Sequence, residues 1–397
     1  MIDDTYGIQD LRDETGMISN REFRRIYLMQ VFLAVADAMA LNFMMLYLLT
    51  LGFRLEQLLL ATTCGFSVPV IVIAAMRRAR AKVSFSIAFA AKITAYLIAS
   101  LWLGPVTVNF IYVTNALVLV FFWIPYNLEF FSYATERTRA YSGSVAILIY
   151  PLVALLVPPV AAYTWSHHGF ATNMGISISI MLGSILYALL NPSIKFRSFN
   201  YHIIDSLKSL RKYRTLFFLQ GLWEASAFVC VPVFTLLYIG TELKLGFFFS
   251  YLGVLSVIAT ITLARLSDRS GRRTSYLYPT VILAAGATIA VALSRSTLWW
   301  VALVGLFNFT SIMATPFLIA VALDAKVTGM NMWAGREFLL NLGRALGSAL
   351  TLAVYSLSGD YRLAFVLLGA VLLLYPCALR LKGVYAKAPI IPGQPAK

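Results

Sequence analysis

Residues 264–273 read Ala264-Arg265-Leu266-Ser267-Asp268-Arg269-Ser270-Gly271-Arg272-Arg273. Long apolar runs flank this stretch, near 244–264 and 277–294, so it is a short basic turn between two hydrophobic segments. Gly271 supplies the backbone freedom that a tight turn needs. Asp268 can cap a neighbouring helix N-terminus or pair with an arginine, and the arginines hold the turn on the cytoplasmic side of a membrane.

Working outward, the same pattern repeats along the chain. Apolar runs of about 18–25 residues can cross a hydrocarbon core of about 30 Å as helices. They fall near 25–50, 56–76, 83–103, 106–131, 140–163, 170–190, 214–239, 244–264, 277–294, 298–322, 334–357 and 362–382, and are numbered here as spans 1 to 12. Gly104-Pro105, Asn191-Pro192 and Gly240 mark joints, and Ser19 with Glu22 fits a capping box before span 1. Basic residues cluster in alternate gaps. Of the 32 lysines and arginines, Arg54, Lys244, Arg295 and Arg362 fall on the opposite side and Lys92 lies within span 3. The positive-inside rule then predicts that both termini and the long central loop are cytoplasmic.

Composition agrees. The chain of 397 residues is 60% hydrophobic and only 12% charged, against roughly 25% charged in an ordinary soluble domain. Lipid must be its main solvent. The net charge of +15 could suggest nucleic acid, but its one-sided distribution assigns it to topology. Met1 to Gln9 carry acids rather than the basic start of a cleavable leader, so span 1 is expected to drive insertion. Cys64, Cys230 and Cys377 lie singly in apolar runs and read as packing residues. There is no P-loop, H-E-x-x-H, G-x-S-x-G or cluster of metal ligands, so neither an enzyme nor a cofactor or metal is expected.

The two halves echo each other. Pro125 precedes Glu129 in span 4 as Pro316 precedes Asp324 in span 10, and Glu136-Arg137 with Gly143 matches Arg336-Glu337 with Gly343. Span 1 carries Asp37 about as far before Gly52 as span 7 carries Glu224 before Gly240. Such six-helix repeats suit alternating access. With that repeat, residues 264–273 resemble the G-x-L-x-D-R-x-G-R-R loop signature of the major facilitator superfamily, Ala264 replacing the first glycine. The resemblance implies an all-α membrane fold of twelve helices in two pseudo-symmetric bundles. The N-terminal bundle would cover 1–190, a linker with an interfacial helix 191–213, and the C-terminal bundle 214–397. It also implies that Asp268, Arg269, Gly271, Arg272 and Arg273 latch the halves in one conformation. Three features depart from the family. The loop after span 2, Ala75-Met76-Arg77-Arg78-Ala79-Arg80-Ala81-Lys82, lacks the expected Asp and Gly; span 4 has no arginine; span 5 lacks the Gly-Pro ending of drug/proton antiporters. In the linker, Phe199, Ile203, Leu207 and Leu210 at helical spacing, beside Lys208, Arg211 and Lys212, predict a helix lying on anionic headgroups.

A charge at the bilayer centre costs about 2.5–3.5 kcal/mol on insertion scales, so each one asks for a reason. Five stand out: Asp37, Lys92, Glu224, Glu337 and Arg344. In span 11, Glu337, Asn341, Arg344 and Ser348 share one helical face, while Gly343 and Gly347 form a small-residue patch beside it. A polar stripe at this depth lines either a cavity or a buried network. Asp37, Glu224, Glu337, Asn341 and Arg344 are the candidate substrate and coupling residues. Asn42, Asn115, Trp123, Tyr126, Gln220, Trp223 and Asn308 are candidate cavity residues. Lys92 is expected to form a structural ion pair with Asp37, and Glu224 to pair with Arg344. The expected function is secondary transport of a small or amphipathic organic solute, with a proton as candidate coupling ion. The expected partners are that solute and anionic lipids of the cytoplasmic leaflet, in a cell or inner membrane, with the protein a monomer. A non-transporting receptor or assembly factor on the same fold is the alternative.

Overall fold

The computed structural model describes residues 20–101, 104–132, 139–191, 198–267, 273–325 and 329–384. Among them, eleven helices are long and apolar enough to cross a membrane. These are Arg21–Thr50, Leu55–Ala75, Ala81–Leu101, Val106–Phe131, Leu148–His168 (within Arg139–His168), Phe170–Leu190, Arg214–Thr235, Glu242–Thr262 (within Glu242–Ser267), Thr297–Leu323, Met330–Ser358 and Arg362–Leu381. The helix Arg273–Val291, apolar over Tyr276–Val291, is span 9 and completes the twelve. Ser19 lies outside the described residues, and the cap of span 1 is instead Asn20, whose side chain accepts from the Glu22 and Phe23 amides at 2.8 and 3.3 Å.

Three spans break their own hydrogen-bond ladder. In span 4 the helix is interrupted at Leu117 and Phe122; Pro125 has no N–H for the Phe121 carbonyl one turn earlier, which weakens the ladder there. Span 7 contains a π-helical turn, Ser226–Cys230, followed by Pro232, which leaves the Phe228 carbonyl without its α-helical donor. Span 1 carries the matching π turn, Asp37–Leu41, where the Asn42 amide reaches back to the Asp37 carbonyl. No proline sits here. Instead, span 6 supplies donors: Asn173 Nδ2 bonds the Met39 carbonyl and Ser177 Oγ the Ala36 carbonyl, each at 3.0 Å. Away from water a freed carbonyl must find a donor within the protein, and here these two side chains hold the turn in shape.

The halves meet along two seams. Spans 5 and 8 pack closely because Gly246 and Gly253 face span 5; a Cβ on Gly253 would lie 2.6 Å from the Leu155 nitrogen. Pro159 lacks the N–H that would bond the Leu155 carbonyl, and Ser250 of span 8 donates to that carbonyl at 2.5 Å. Spans 2 and 11 form the other seam, where Ser348 Oγ meets Thr63 Oγ1 at 2.8 Å and Thr62 Oγ1 at 3.3 Å. Aromatic contacts cross between the halves toward each end: Phe131 stacks on Trp333 on the linker side (centroids 5.1 Å), and Phe43 meets Phe249 toward the far side (6.0 Å).

The linker departs from expectation. Only Ile203–Ser209 is helical, and Phe199 belongs to a strand, β2 (Ser198–Asn200), paired antiparallel with β1 (Arg78–Arg80) in the loop after span 2. The short helix docks on protein as well as facing outward. Leu210, just past its end, is fully buried, and Ser206 Oγ donates to Asn331 Oδ1 at the start of span 11 at 3.0 Å. Helical spacing alone could not reveal that the chain enters this helix from a backbone ribbon.

Within the C-terminal half, span 7 lies against span 11 through the small residues read from sequence. A Cβ on Gly343 would lie 2.5 Å from the Phe218 carbonyl oxygen and 2.6 Å from the Leu222 nitrogen. Both are backbone atoms, so a helix must shift. Gly343→Ala should lower thermal stability in detergent by about 1–3 kcal/mol, the range for overpacking. Gly175→Ala, where nothing lies within 4 Å, should leave it unchanged or higher, because alanine favours the helix. Equal unfolding midpoints for the two variants would contradict this packing.

Candidate substrate and coupling site

Each half places one carboxylate at or just before the π turn of its first span. In the N-terminal half, Asp37 opens the π turn and forms an ion pair with Lys92 of span 3. Lys92 is 1% exposed and also donates to Asn115 Oδ1 of span 4 at 2.8 Å. Tyr96, one turn on from Lys92, lies beside the carboxylate with its buried hydroxyl making no well-formed hydrogen bond. Below this cluster, Tyr126 donates to Gln30 Oε1, and Tyr150 of span 5 engages the same glutamine. Lys92 and Asp37 therefore neutralise each other, and Asn115 and Tyr96 beside them belong to the same half.

The C-terminal half is built differently. Arg344 of span 11 grips Glu224 of span 7 through two nitrogens, Nε to Oε2 at 2.8 Å and Nη2 to Oε2 at 2.5 Å. The other carboxylate oxygen accepts from Gln220 Nε2 at 2.8 Å. Arg344 Nη1 donates to Asn341 Oδ1 at 3.2 Å and lies 3.9 Å from Glu337 Oε2. Glu337 is held in turn by Arg336, Nη1 to Oε1 at 2.8 Å. Arg336, read from sequence as the cytoplasmic start of span 11, is buried and belongs to this network. The unbroken helix Met330–Ser358 stacks Glu337, Asn341 and Arg344 at successive turns, with Arg336 reaching Glu337 from the adjacent position, which is why one amphipathic stripe becomes one chain of charges.

This network lies beside an exposed aromatic ring. The Arg344 guanidinium lies 5.1 Å from the centre of the Phe228 ring, which belongs to the π turn of span 7 and is 51% exposed. Phe228 also approaches Phe66 of span 2, across the halves, at 6.4 Å. Glu224 keeps 13% of its side-chain surface accessible and Arg344 keeps 9%. A planar cation, a carboxylate and two aromatic rings thus share one accessible surface, which can bind an anionic group by a forked contact and an apolar body by ring contact.

Other residues singled out from sequence fall elsewhere. Trp223, expected in the cavity, is buried and donates to Thr288 of span 9 at 3.0 Å. Asn308 binds span 8, donating to the Leu252 carbonyl at 3.0 Å and Ser256 Oγ at 2.7 Å. Tyr126 is buried on Gln30, whereas Trp123 and Asn42 are half-buried. Asp268, Arg269, Gly271 and Arg272 lie outside the described residues; Arg273 is the first helical residue of span 9. Sequence reading missed Gln30 and Tyr150. The two carboxylates were visible as charges, but the π turns that aim them leave little mark on hydropathy.

The Asp37–Lys92 pair has a clear signature in stability. Removing one partner of a buried pair leaves an uncompensated charge and costs about 3–5 kcal/mol, while replacing both by apolar residues is often neutral. Lys92→Met alone should therefore lower the unfolding midpoint sharply, and Lys92→Met with Asp37→Leu should recover most of the loss. A double variant as unstable as the sum of the singles would show the two charges to be uncoupled.

No protein-family profile matches the sequence, and no curated protein matches it by sequence search. Solved structures do match. The crystal structure of the human organic anion transporter MFSD10 (TETRAN) aligns over 91% of this chain and 100% of its own, with a TM-score of 0.62 and 14% identity. That likeness shows the fold: the twelve helices of this chain have the major facilitator fold expected from its sequence.

Proposed function

We propose that the chain is a secondary active transporter that moves a small or amphipathic organic solute bearing an anionic group by alternating access, with a proton as coupling ion. The observation that carries this reading is the Arg344–Glu224 pair, set against the exposed Phe228 ring. Arg344 is buried, and its Nε, Nη1 and Nη2 are all bonded within the protein, so a solute that takes it must displace one of these partners. Here its partner is a carboxylate that an anionic substrate can replace in the same forked geometry. The MFSD10 structure is that of an organic anion transporter, which agrees with a cationic binding group.

On this mechanism the substrate's anionic group takes Arg344, and Glu224, left without its counter-charge in a dry site, is neutralised by a proton. Substrate and proton are then bound together, and the site closes without a net unpaired charge. Cross-half contacts toward both ends, Phe131 with Trp333 and Phe43 with Phe249, fit an arrangement between the two open forms. Asp37 and Lys92 keep a neutral scaffold opposite.

Two measurements test this. In proteoliposomes, uptake of labelled organic anions should vanish in Arg344→Ala, while Glu224→Gln should retain binding and lose its response to a pH gradient. The double variant should be no worse than Arg344→Ala. Wild-type protein without solute flux across the same panel, with or without the gradient, would favour a receptor or assembly role. Topology is tested separately by cysteine labelling in a cell membrane: positions 54, 244, 295 and 362 should react only from outside, and inside-only reaction at two of them would reverse the orientation.

A further inference from the structure

The loop after span 2 lacks the Asp and Gly of the family signature, and the structure shows what stands in their place. Arg78–Arg80 pair in register with Ser198–Asn200, and the Tyr201 amide continues the ribbon to the Arg77 carbonyl at 3.1 Å. Tyr201, 5% exposed, donates its hydroxyl to the Ile73 carbonyl at 3.1 Å, satisfying an acceptor in the last turn of span 2. Burial pushes this phenol well above its ordinary value, so it stays a donor. From the ribbon the chain runs directly into the helix that meets Asn331 and packs against Gly335, where a Cβ would lie 2.7 Å from Leu210 Cδ1. A strap thus ties the linker-side end of span 2, in one half, to that of span 11, in the other.

At the middle of this strap lies a polar depression of about 420 Å³, lined by Arg77, Arg78, Asn200, Tyr201, His202, Asp205 and Asn331. Its walls come from both halves and from the strap between them. Asp205 lies 3.9 Å from His202 and 4.0 Å from Lys208, so its charge is shared within the linker helix. Among the described residues, neither the Arg77 nor the Arg78 side chain has an ion pair or hydrogen bond. Two adjacent, unneutralised guanidinium groups beside the amides of Asn200 and Asn331 form a set of donors with an excess of positive charge. That set matches a phosphate group, which accepts several charge-assisted hydrogen bonds at once.

We propose that this depression binds a phosphate group and that its occupancy holds the linker side of the transporter shut. A phosphate seated there joins span 2, the ribbon and span 11 through one ligand, adding electrostatic cohesion to a strap otherwise made of a few backbone and side-chain hydrogen bonds. Opening the linker side separates Arg77 and Arg78 from Asn331 and disperses the site, so ligand must leave first. The phosphate can belong to a lipid headgroup at the membrane surface or to a soluble phosphate ester. The binding half of this proposal stands whether or not the chain transports the solute proposed above.

The test uses the full-length protein in two arms. In detergent, unfolding is followed against inorganic phosphate, with chloride at matched ionic strength as reference. In nanodiscs, phosphatidylcholine alone is compared with phosphatidylcholine containing phosphatidic acid. Wild type should gain a few degrees in midpoint, as a ligand bound only by the native state produces. R77Q/R78Q should need at least about tenfold more phosphate, equivalent to roughly 1.4 kcal/mol, and R77K/R78K should fall between, since ammonium groups keep charge without the fork. A response in detergent assigns a soluble phosphate, and a response confined to phosphatidic acid assigns the headgroup. The gating half is read from cross-linking of F131C/W333C, which report linker-side closure, and should rise several-fold with ligand. No midpoint shift in either arm, or equal shifts in wild type and R77Q/R78Q, would overturn the site. A shift without increased cross-linking would overturn its gating role.

Discussion

A guanidinium at mid-membrane has to be neutralised inside the protein, and the way Arg344 meets that demand organises the C-terminal half. Isolated there, it would cost at least a few kcal/mol. A carboxylate at contact distance returns a comparable amount even with strong screening, about 4 kcal/mol at 4 Å for an effective dielectric of about 20. For Glu224 to reach it, spans 7 and 11 must come within backbone contact. Gly221, Gly343 and Gly347 permit this, each having helix backbone of the partner span where a Cβ would stand. The π turn at Ser226–Cys230 then offsets the rest of span 7 and sets Phe228 over the guanidinium. Charge pair, glycine seam and π turn are one construction.

The first half solves the same problem with other parts. Its carboxylate also sits at a π turn in the first span, but its partner is Lys92 from span 3 rather than a residue of span 5, the pseudo-equivalent of span 11. An ammonium is a point charge held here by Asp37 and Asn115, and it offers no fork for exchange between two carboxylates. Span 5 is instead occupied with span 8: its prolines release carbonyls that Ser250 uses from across the seam. The pseudo-symmetry is therefore one of backbone and not of chemistry. One half pairs its carboxylate with an ammonium, the other with a guanidinium set beside an exposed ring.

Much of this was legible in the sequence, and the reasons differ residue by residue. Twelve spans follow from length and hydropathy, because lipid penalises every long apolar run that is not a helix. Arg344 with Glu224 and Lys92 with Asp37 were readable as pairs because charges this deep have few partners to choose from. Trp223 and Asn308 were misplaced, since polarity on an apolar helix says that a partner exists but not on which side; their partners, Thr288 and Ser256, are themselves unremarkable in sequence. The ribbon at Arg78–Arg80 was invisible because β pairing joins segments more than a hundred residues apart, and neither three-residue strand has a period to detect. The turn from Asp268 to Arg272 lies outside the described residues.

The two seams differ in the kind of adhesion they use, and this bears on how the halves can move. Between spans 5 and 8, backbone meets backbone across Gly246 and Gly253 and is tied by one hydroxyl, so the surface is smooth and offers little resistance to rocking. Between spans 2 and 11, the Ser348 hydroxyl meets those of Thr62 and Thr63. Both threonines also donate to the Leu59 carbonyl of their own helix, so a rotation that parts them from Ser348 does not strand those donors. Glu337, Arg344 and Ser348 lie on one face of span 11, so one continuous helix carries both the second seam and the charge pair.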